Sequence, residues 1–348
     1  MANPSLQKAA WLMLAITITT AAAWEIHLRK SGASISYDET GPLWAHHRKK
    51  VYMPSEEATV FIGSSRNKFD LDTKTWQDLT GETPIQLAQE GNCPLPVLDD
   101  LANDKNFKGK LVIDVTEGLF FDIFPGNRIE INNALKYYKE ESPAQKLSFY
   151  INSFLESKLV LLDKEYFSLS AKLKALQIPN RKGVFEFPIF PMEFNHVNFE
   201  RQSWMTDRFV NDTSLQQQVQ KVWLFVFDML KNIPPLSTHD LDSVFASIKN
   251  NVDKIQARGG KIVFVRTPSN GPFWMGEQMV FPREKFWDRL LATTRCAGIH
   301  FTDYPVLKEL ICPEWSHLTP ADAVVHTKEL VRILHEEKGW KFSTIKSR

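Results

Sequence analysis

Short apolar runs alternate with longer amphipathic stretches along this chain, and that alternation predicts most of its architecture. Thr59–Ile62, Pro84–Ala88, Lys110–Val115, Lys261–Val265 and Ile299–Asp303 are brief runs rich in apolar and β-branched residues, and they read as strands. Between them, apolar positions three and four residues apart predict helices over Thr73–Leu79, over the stretch carrying Leu95, Leu98 and Leu101, and over Asp240–Arg258, Pro282–Arg295 and Ala321–Glu336. Gly259-Gly260 supplies a helix stop just before the fourth strand. Strands alternating with helices imply a parallel sheet of about five strands in a three-layer α/β/α, flavodoxin-like fold.

Residues 119–240 are too long for one crossover and predict a large, mostly helical insertion, with helices over Asn132–Tyr138, Pro143–Leu176 and Leu215–Leu230. Within it, Val184–Val210 is aromatic, broken by proline and without helical period. It reads as a lid, a docking surface or a long loop packed on the core. At the other extreme, residues 9–23 form the only long uncharged apolar run. That run is close to a signal-peptide core and shorter than the roughly 20 residues of a membrane-spanning helix. Lys8 precedes it, Ala21-Ala22-Ala23 offers a small-residue cleavage site, and Arg29 and Lys30 follow. A signal anchor or a signal peptide within residues 1–30 is the expectation, and a buried helix of a soluble protein is the alternative. Residues 31–57 then form a linker or domain edge, and residues 58–340 the main domain with its insertion.

Composition narrows the function classes. A chain of 348 residues that is 43% hydrophobic can bury one sizeable core. A net charge of +1 gives no field for nucleic acid, and no basic helix or aromatic-basic ribbon appears, so no nucleic-acid partner is expected. Cys93, Cys296 and Cys312 are too few for a disulfide scaffold and are spaced unlike a zinc site. Cys296 and Cys312 either pair or stay as separate buried thiols. His46 and His47 sit in a basic run without an acid or cysteine beside them, so no metal is expected there. No Gly-x-Gly-x-x-Gly fingerprint or phosphate-binding loop is present, and no cofactor is expected.

Candidate chemistry lies at two places. The first strand stops at Gly63, and Ser64, Ser65, Arg66 and Asn67 follow at once. A hydroxyl on a strand-to-helix turn is exposed, and the N–H groups there can stabilise a developing oxyanion. Near the other end, Glu314 and His317 are three residues apart just before the last helix. A short turn can bring that carboxylate to the imidazole, fix its tautomer and leave the other ring nitrogen for a serine from elsewhere. Ser65, Arg66, Gly91, Thr116 and Arg266 all fall at the carboxyl ends of the predicted strands, where parallel sheets gather functional groups.

This pairing resembles the SGNH hydrolase superfamily, also called the GDSL lipases and esterases. Its members carry a nucleophilic serine after the first strand and an Asp-x-x-His block near the C-terminus. Gly63-Ser64-Ser65 and Glu314-Trp315-Ser316-His317 match those blocks, with Ser64 and Glu314 standing where the family has aspartate. The likeness covers about residues 58–118 and 258–337. The Gly-Ser-Ser-Arg variant behind an N-terminal hydrophobic segment looks most like exported SGNH-like proteins that modify cell-envelope polymers. The resemblance implies Ser65 as nucleophile, His317 as general base and acid, Glu314 as orienting carboxylate, and the N–H groups of Ser65 and Gly91 in the oxyanion hole. The family's third block supplies an asparagine side chain to that hole, where this chain has Thr116 and Glu117, and Asn67 or Asn92 is the candidate substitute.

Two functional readings follow. The first is a serine esterase or O-acyltransferase, membrane-anchored and extracytoplasmic (periplasmic or at the cell surface), acting on an acylated glycan or envelope polymer. The second is a membrane-tethered SGNH-like binding or assembly protein with weak or no catalysis and an envelope protein as partner; Glu117 and the aromatic insertion favour it. Arg66 and Arg266 either grip an anionic group on the substrate or pair internally, with Glu117 the obvious partner for Arg66.

Overall fold

The computed structural model describes residues 4–174, 176, 187–231 and 234–344. Five strands, β1 (Ala58–Ile62), β2 (Thr83–Gln86), β3 (Lys110–Asp114), β4 (Lys261–Arg266) and β5 (Ala297–His300), form one sheet. All neighbours pair in parallel, in the spatial order β2-β1-β3-β4-β5. Both β1 and β3 are buried along their whole length, as strands covered on both faces must be.

The helices used below are α1 (Pro4–Lys30), α2 (Ser65–Asp70), α3 (Leu95–Asn103), α4 (Pro143–Glu156), α5 (Thr213–Leu230), α6 (Thr238–Gln256), α7 (Gly271–Val280) and α8 (Pro320–Glu336). The two-residue period of a strand sends alternate side chains to opposite faces, and the sheet makes two cores that way. Val60, Ile62, Leu111, Ile113, Ile262 and Phe264 meet Leu98 and Leu101 of α3 and Ile248 and Val252 of α6. Phe61, Val112, Val263 and Val265 meet Leu330, Val331 and Leu334 of α8. This is the three-layer α/β/α fold with a helical insertion. The chain runs outward from β1 to β2 and then returns to β3 on the other side of β1. At such a switch point the loops leave in opposite directions and open a crevice.

The chain divides into two compact units, Met1–Asp38 with Ala144–Phe185, and Glu39–Pro143 with Glu186–Arg348. The stretch predicted as one insertion is therefore shared: its middle groups with the N-terminal segment, and its end with the sheet. In the first unit, α1 extends well beyond the apolar run at 9–23, because no glycine or proline interrupts residues 5–31. Among the described residues, Ser5–Lys30 is the one helix long and apolar enough to cross a membrane. Its carboxyl end is tied down: Val160 N–H and Leu161 N–H donate to the Glu25 carboxylate at 3.0 and 2.9 Å, and Arg29 donates to the Lys158 carbonyl at 2.8 Å. That clamp, with Asp163 capping the helix Lys164–Phe167, breaks the helix predicted over Pro143–Leu176 into shorter pieces.

In the second unit, the segment read as linker or edge contains a helix over Gly41–Lys49 with Leu43, Trp44, His47 and Arg48 buried. Arg48 pairs with Asp100 and Asp104 at 2.8 Å each. Residues 184–186 of the aromatic stretch, and residue 175 of the predicted helix, lie outside the described residues. The remainder of that stretch forms a hairpin of two short antiparallel strands, His196–Val197 with Ser203–Trp204, and a small core of Phe194, Met205 and Phe209 packed on Phe69 of α2.

Candidate active site

The exit of β1 permits little but glycine. A Cβ at Gly63 would lie 2.6 Å from Asp114 Cβ and 3.0 Å from Asn67 Cβ, so β3 and α2 approach the backbone directly. Ser64 is extended and occupies the position before α2, but its hydroxyl turns away from the helix, 2.8 Å from Thr116 Oγ1 and 3.4 Å from Asp114 Oδ2. Ser65 opens the helix, where an N–H has no intrahelical acceptor. It is the one residue between Ala58 and Leu71 that is not buried. The nucleophile candidate is thus the single opening in an otherwise closed strand–turn–helix.

The last block meets it there. His317 Nε2 lies 2.8 Å from Ser65 Oγ, and His317 Nδ1 lies 3.0 Å from Glu314 Oε1. A carboxylate only accepts, so Nδ1 carries the ring proton and the Nε2 lone pair faces the serine hydroxyl. The turn that makes this possible is strained: Trp315 has φ 81°, an uncommon conformation for a bulky residue. It folds Glu314 back so that its carboxylate also accepts from the N–H groups of Ser316 at 3.3 Å and His317 at 2.5 Å. Asn270 holds the turn in place, donating from its N–H to the Trp315 carbonyl at 2.9 Å and accepting from the Cys312 N–H. The Trp223 indole N–H from α5 donates to the second oxygen, Glu314 Oε2. Phe69, Phe194 and Trp223 surround the imidazole with ring centroids at 4.6, 5.7 and 6.0 Å, and both His317 and Glu314 are buried.

Two further ties fix the serine helix to the histidine loop. Arg66 Nε donates to Ser316 Oγ at 3.2 Å, and Leu318 N–H donates to Asp70 Oδ1 at 2.9 Å. The serine helix thus bonds both neighbours of His317, from Arg66 at its start and from Asp70 at its end, so the central 2.8 Å contact sits within a staple of three.

No family model matches the chain, and no curated protein matches it. What the site can do therefore rests on its own geometry.

Arg66 and Arg266 sit behind the staple, both 1% exposed. Arg66 bonds Glu277 of α7 at 2.7 Å, while Arg266 bonds Glu117 at 3.1 Å and the other Glu277 oxygen. The charges alternate, Arg66–Glu277–Arg266–Glu117, and the rings of Phe273 and Trp274 cover the two guanidinium groups at 4.9 and 5.1 Å. Glu117 is therefore the partner of Arg266, and Glu277 is the partner of Arg66. Burial would push Glu277 up, but Arg266 and Arg66 together hold its carboxyl below the ordinary range. Burial pushes Glu117 up, with Arg266 opposing and Glu277 adding to it. Since Glu117 is paired and buried, its charge is matched inside the protein.

Gly91 lies on the loop after β2 with φ 62°, a conformation that favours glycine. Gln89 N–H donates to the Gly63 carbonyl at 3.2 Å, tying this loop to the exit of β1. The Asn92 side chain donates to the Glu90 carbonyl at 2.8 Å and accepts from Ile131 N–H at 3.2 Å, so its amide shapes the turn. Asn67 Oδ1 accepts from Gln86 at 2.8 Å, and the Thr116 hydroxyl is engaged with Ser64 and Asp114. Buried Lys68 and Arg201 brace the same loop, Lys68 through Glu90 at 2.7 Å and Arg201 through the Gln86 and Ala88 carbonyls at 2.7 and 3.0 Å.

Sequence reasoning missed Glu277 and Trp223. A Gly-Pro start at 271–272 was the available sign of α7, and the tryptophan lies on a predicted helix whose facing partner no local pattern names. All three cysteines are free and buried. Among the described residues no group of three or more His, Cys, Asp or Glu could hold a metal ion.

Proposed function

We propose that the chain is a serine esterase or O-acyltransferase of SGNH type. The observation that carries this reading is the relay Ser65 Oγ–His317 Nε2 at 2.8 Å and His317 Nδ1–Glu314 at 3.0 Å, opening at the one accessible residue of the β1–α2 turn. Ser65 Oγ attacks the ester carbonyl while His317 Nε2 takes its proton, and Glu314 supports the imidazolium through Nδ1. The N–H groups of Ser65 and Gly91 are the oxyanion donors in this reading, because the Asn92 and Thr116 side chains are otherwise engaged. Collapse expels the alcohol, which takes the proton back from His317, and leaves an acyl-Ser65 ester. Water then gives hydrolysis, and a sugar hydroxyl gives transfer. The proposed substrate is an acylated glycan or envelope polymer, met by a domain that α1 anchors outside the cytoplasm.

A fluorophosphonate probe tests the reading. Wild type is expected to form a Ser65 Oγ–phosphorus bond with loss of fluoride; Ser65→Ala, which lacks the attacking oxygen, is expected not to form it at all, and His317→Ala to form it slower by roughly 10⁶. Glu314→Ala retains more, since the base survives without its orienting group. An unlabelled wild type refutes the reading and favours the second one, a membrane-tethered binding or assembly protein. Thr116 and Glu117, standing where the family's asparagine is expected and both engaged internally, support that second reading.

A further inference from the structure

The first compact unit contains an amphipathic helix turned inside out. On α4, Leu147, Ile151, Phe154 and Leu155 follow the i, i+4, i+7, i+8 spacing of a core-facing stripe, yet they are 62%, 53%, 65% and 39% exposed. Leu169 and Leu173, in the same unit, are 76% and 55% exposed. The opposite side of α4 is the one buried within the protein, through Phe149 and Glu156. Singly exposed leucines are ordinary, but a full helical stripe facing outward marks a surface with an occupant.

We propose that this stripe lies in the interface of the bilayer that α1 enters, so that α4 is a second, in-plane membrane element. Continuity decides the occupant. The turn just after α4 is clamped to the carboxyl end of α1, by Glu25 accepting from Val160 and Leu161 and by Arg29 donating to the Lys158 carbonyl. The stripe therefore ends within a few residues of the carboxyl end of Ser5–Lys30, the one candidate span among the described residues. An apolar face held beside a span, with polar residues on its other side, has the geometry of an interfacial helix, which inserts its apolar side 5–10 Å into the boundary of headgroups and acyl chains. The stripe also fixes which surface of this unit faces lipid, a role α1 alone cannot supply because a single span is free to rotate.

The test uses the full chain with Ile151→Cys carrying an NBD fluorophore, reconstituted in phosphatidylcholine vesicles; the native cysteines are buried. Lys249→Cys, on the exposed surface of α6, is the aqueous control. At position 151 the expected result is a blue-shifted emission, several-fold weaker quenching by iodide than at 249, and strong quenching by lipids carrying a shallow nitroxide. Phe154→Cys serves the same purpose where the first variant fails to fold. Equal iodide quenching at 151 and 249 overturns the proposal. So does protection from both quenchers, which would place a protein partner or a second copy on the stripe. The proposal rests on α1 as a span, and flotation separates the two: a chain that does not float with vesicles refutes both, and a floating chain with an aqueous position 151 refutes only the stripe.

Discussion

Glu277 is the residue whose removal most directly tests the account of the two arginines. It accepts from Arg66 at 2.7 Å, from Ser269 at 2.6 Å and from Arg266, and it is 8% exposed. In Glu277→Ala, Arg266 keeps Glu117 at 3.1 Å, but Arg66 keeps only Ser316 at 3.2 Å and the Phe273 ring. A guanidinium that is 1% exposed is then left without its hydrogen-bonded carboxylate. Breaking a buried pair in this way costs about 3–5 kcal/mol, against a total stability of about 5–15 kcal/mol. The variant should fold, with a urea midpoint lowered by roughly 1 M or more. Because Arg66 adjoins Ser65 and bonds the neighbour of His317, a shift of about 1 Å there should also slow fluorophosphonate labelling by roughly 10²-fold. Adding Arg66→Met should recover part of the stability, since the stranded charge is gone. Urea unfolding and labelling rates on the three proteins decide the matter. A loss under about 1 kcal/mol with unchanged labelling would refute the buried network. Faster turnover of anionic esters in Glu277→Ala would show instead that Arg66 is a substrate clamp held in reserve.

Trp223→Phe removes the donor to Glu314 Oε2 while keeping an aromatic ring against the imidazole. A hydrogen bond to a charged group is worth about 1.5–3 kcal/mol, so labelling should slow by roughly 10- to 100-fold with little change in fold by circular dichroism; an unchanged rate would remove Trp223 from the site. His326, buried in α8, is pushed down to about 4 by burial. Its folded value lies below the unfolded value of about 6.5, so the unfolded chain binds the proton first, and its contribution is complete above about pH 6.5 and is lost as pH falls toward 4. Between pH 7 and pH 4, wild type should therefore lose about 3 kcal/mol more than His326→Leu by denaturant unfolding, and parallel losses would contradict it.

The sheet was legible because its three central strands, β1, β3 and β4, are short apolar runs buried on both faces along nearly all their length, which needs no tertiary information to recognise. Edges moved where a partner or a cap intervened. The fifth strand begins at Ala297, drawn in by pairing with Val263, and ends at His300, whose ring accepts from Thr302 N–H and turns the chain into a 3₁₀ segment. The helix over Gly41–Lys49 was illegible for a different reason. His46-His47-Arg48-Lys49-Lys50 looks like a solvated basic run, yet Arg48 is buried because Asp100 and Asp104, more than fifty residues away in the chain, neutralise it. Local polarity cannot reveal a charge matched at long range. The same holds for the break after α4, where the acceptor of two backbone N–H groups is Glu25.

At the site, what could be read were the groups whose chemistry is rare, and what could not were the groups that hold them. A serine after a strand-ending glycine and a Glu-x-x-His turn are few in any chain, and their conjunction proposes a distance that the fold meets at 2.8 Å. Glu277 and Trp223 are ordinary residues on ordinary helices, and their roles arise only when α7 is laid against Arg66 and Arg266 and α5 against the turn at 314–317. This asymmetry has a physical basis: reactivity is a property of a few side chains, whereas preorganisation is a property of everything packed on them. Trp315, held at φ 81° by Asn270, joins the two levels. Its strained backbone is what folds Glu314 onto His317. The residues around it supply the packing and hydrogen bonds that keep that conformation, so the second layer determines the geometry of the first.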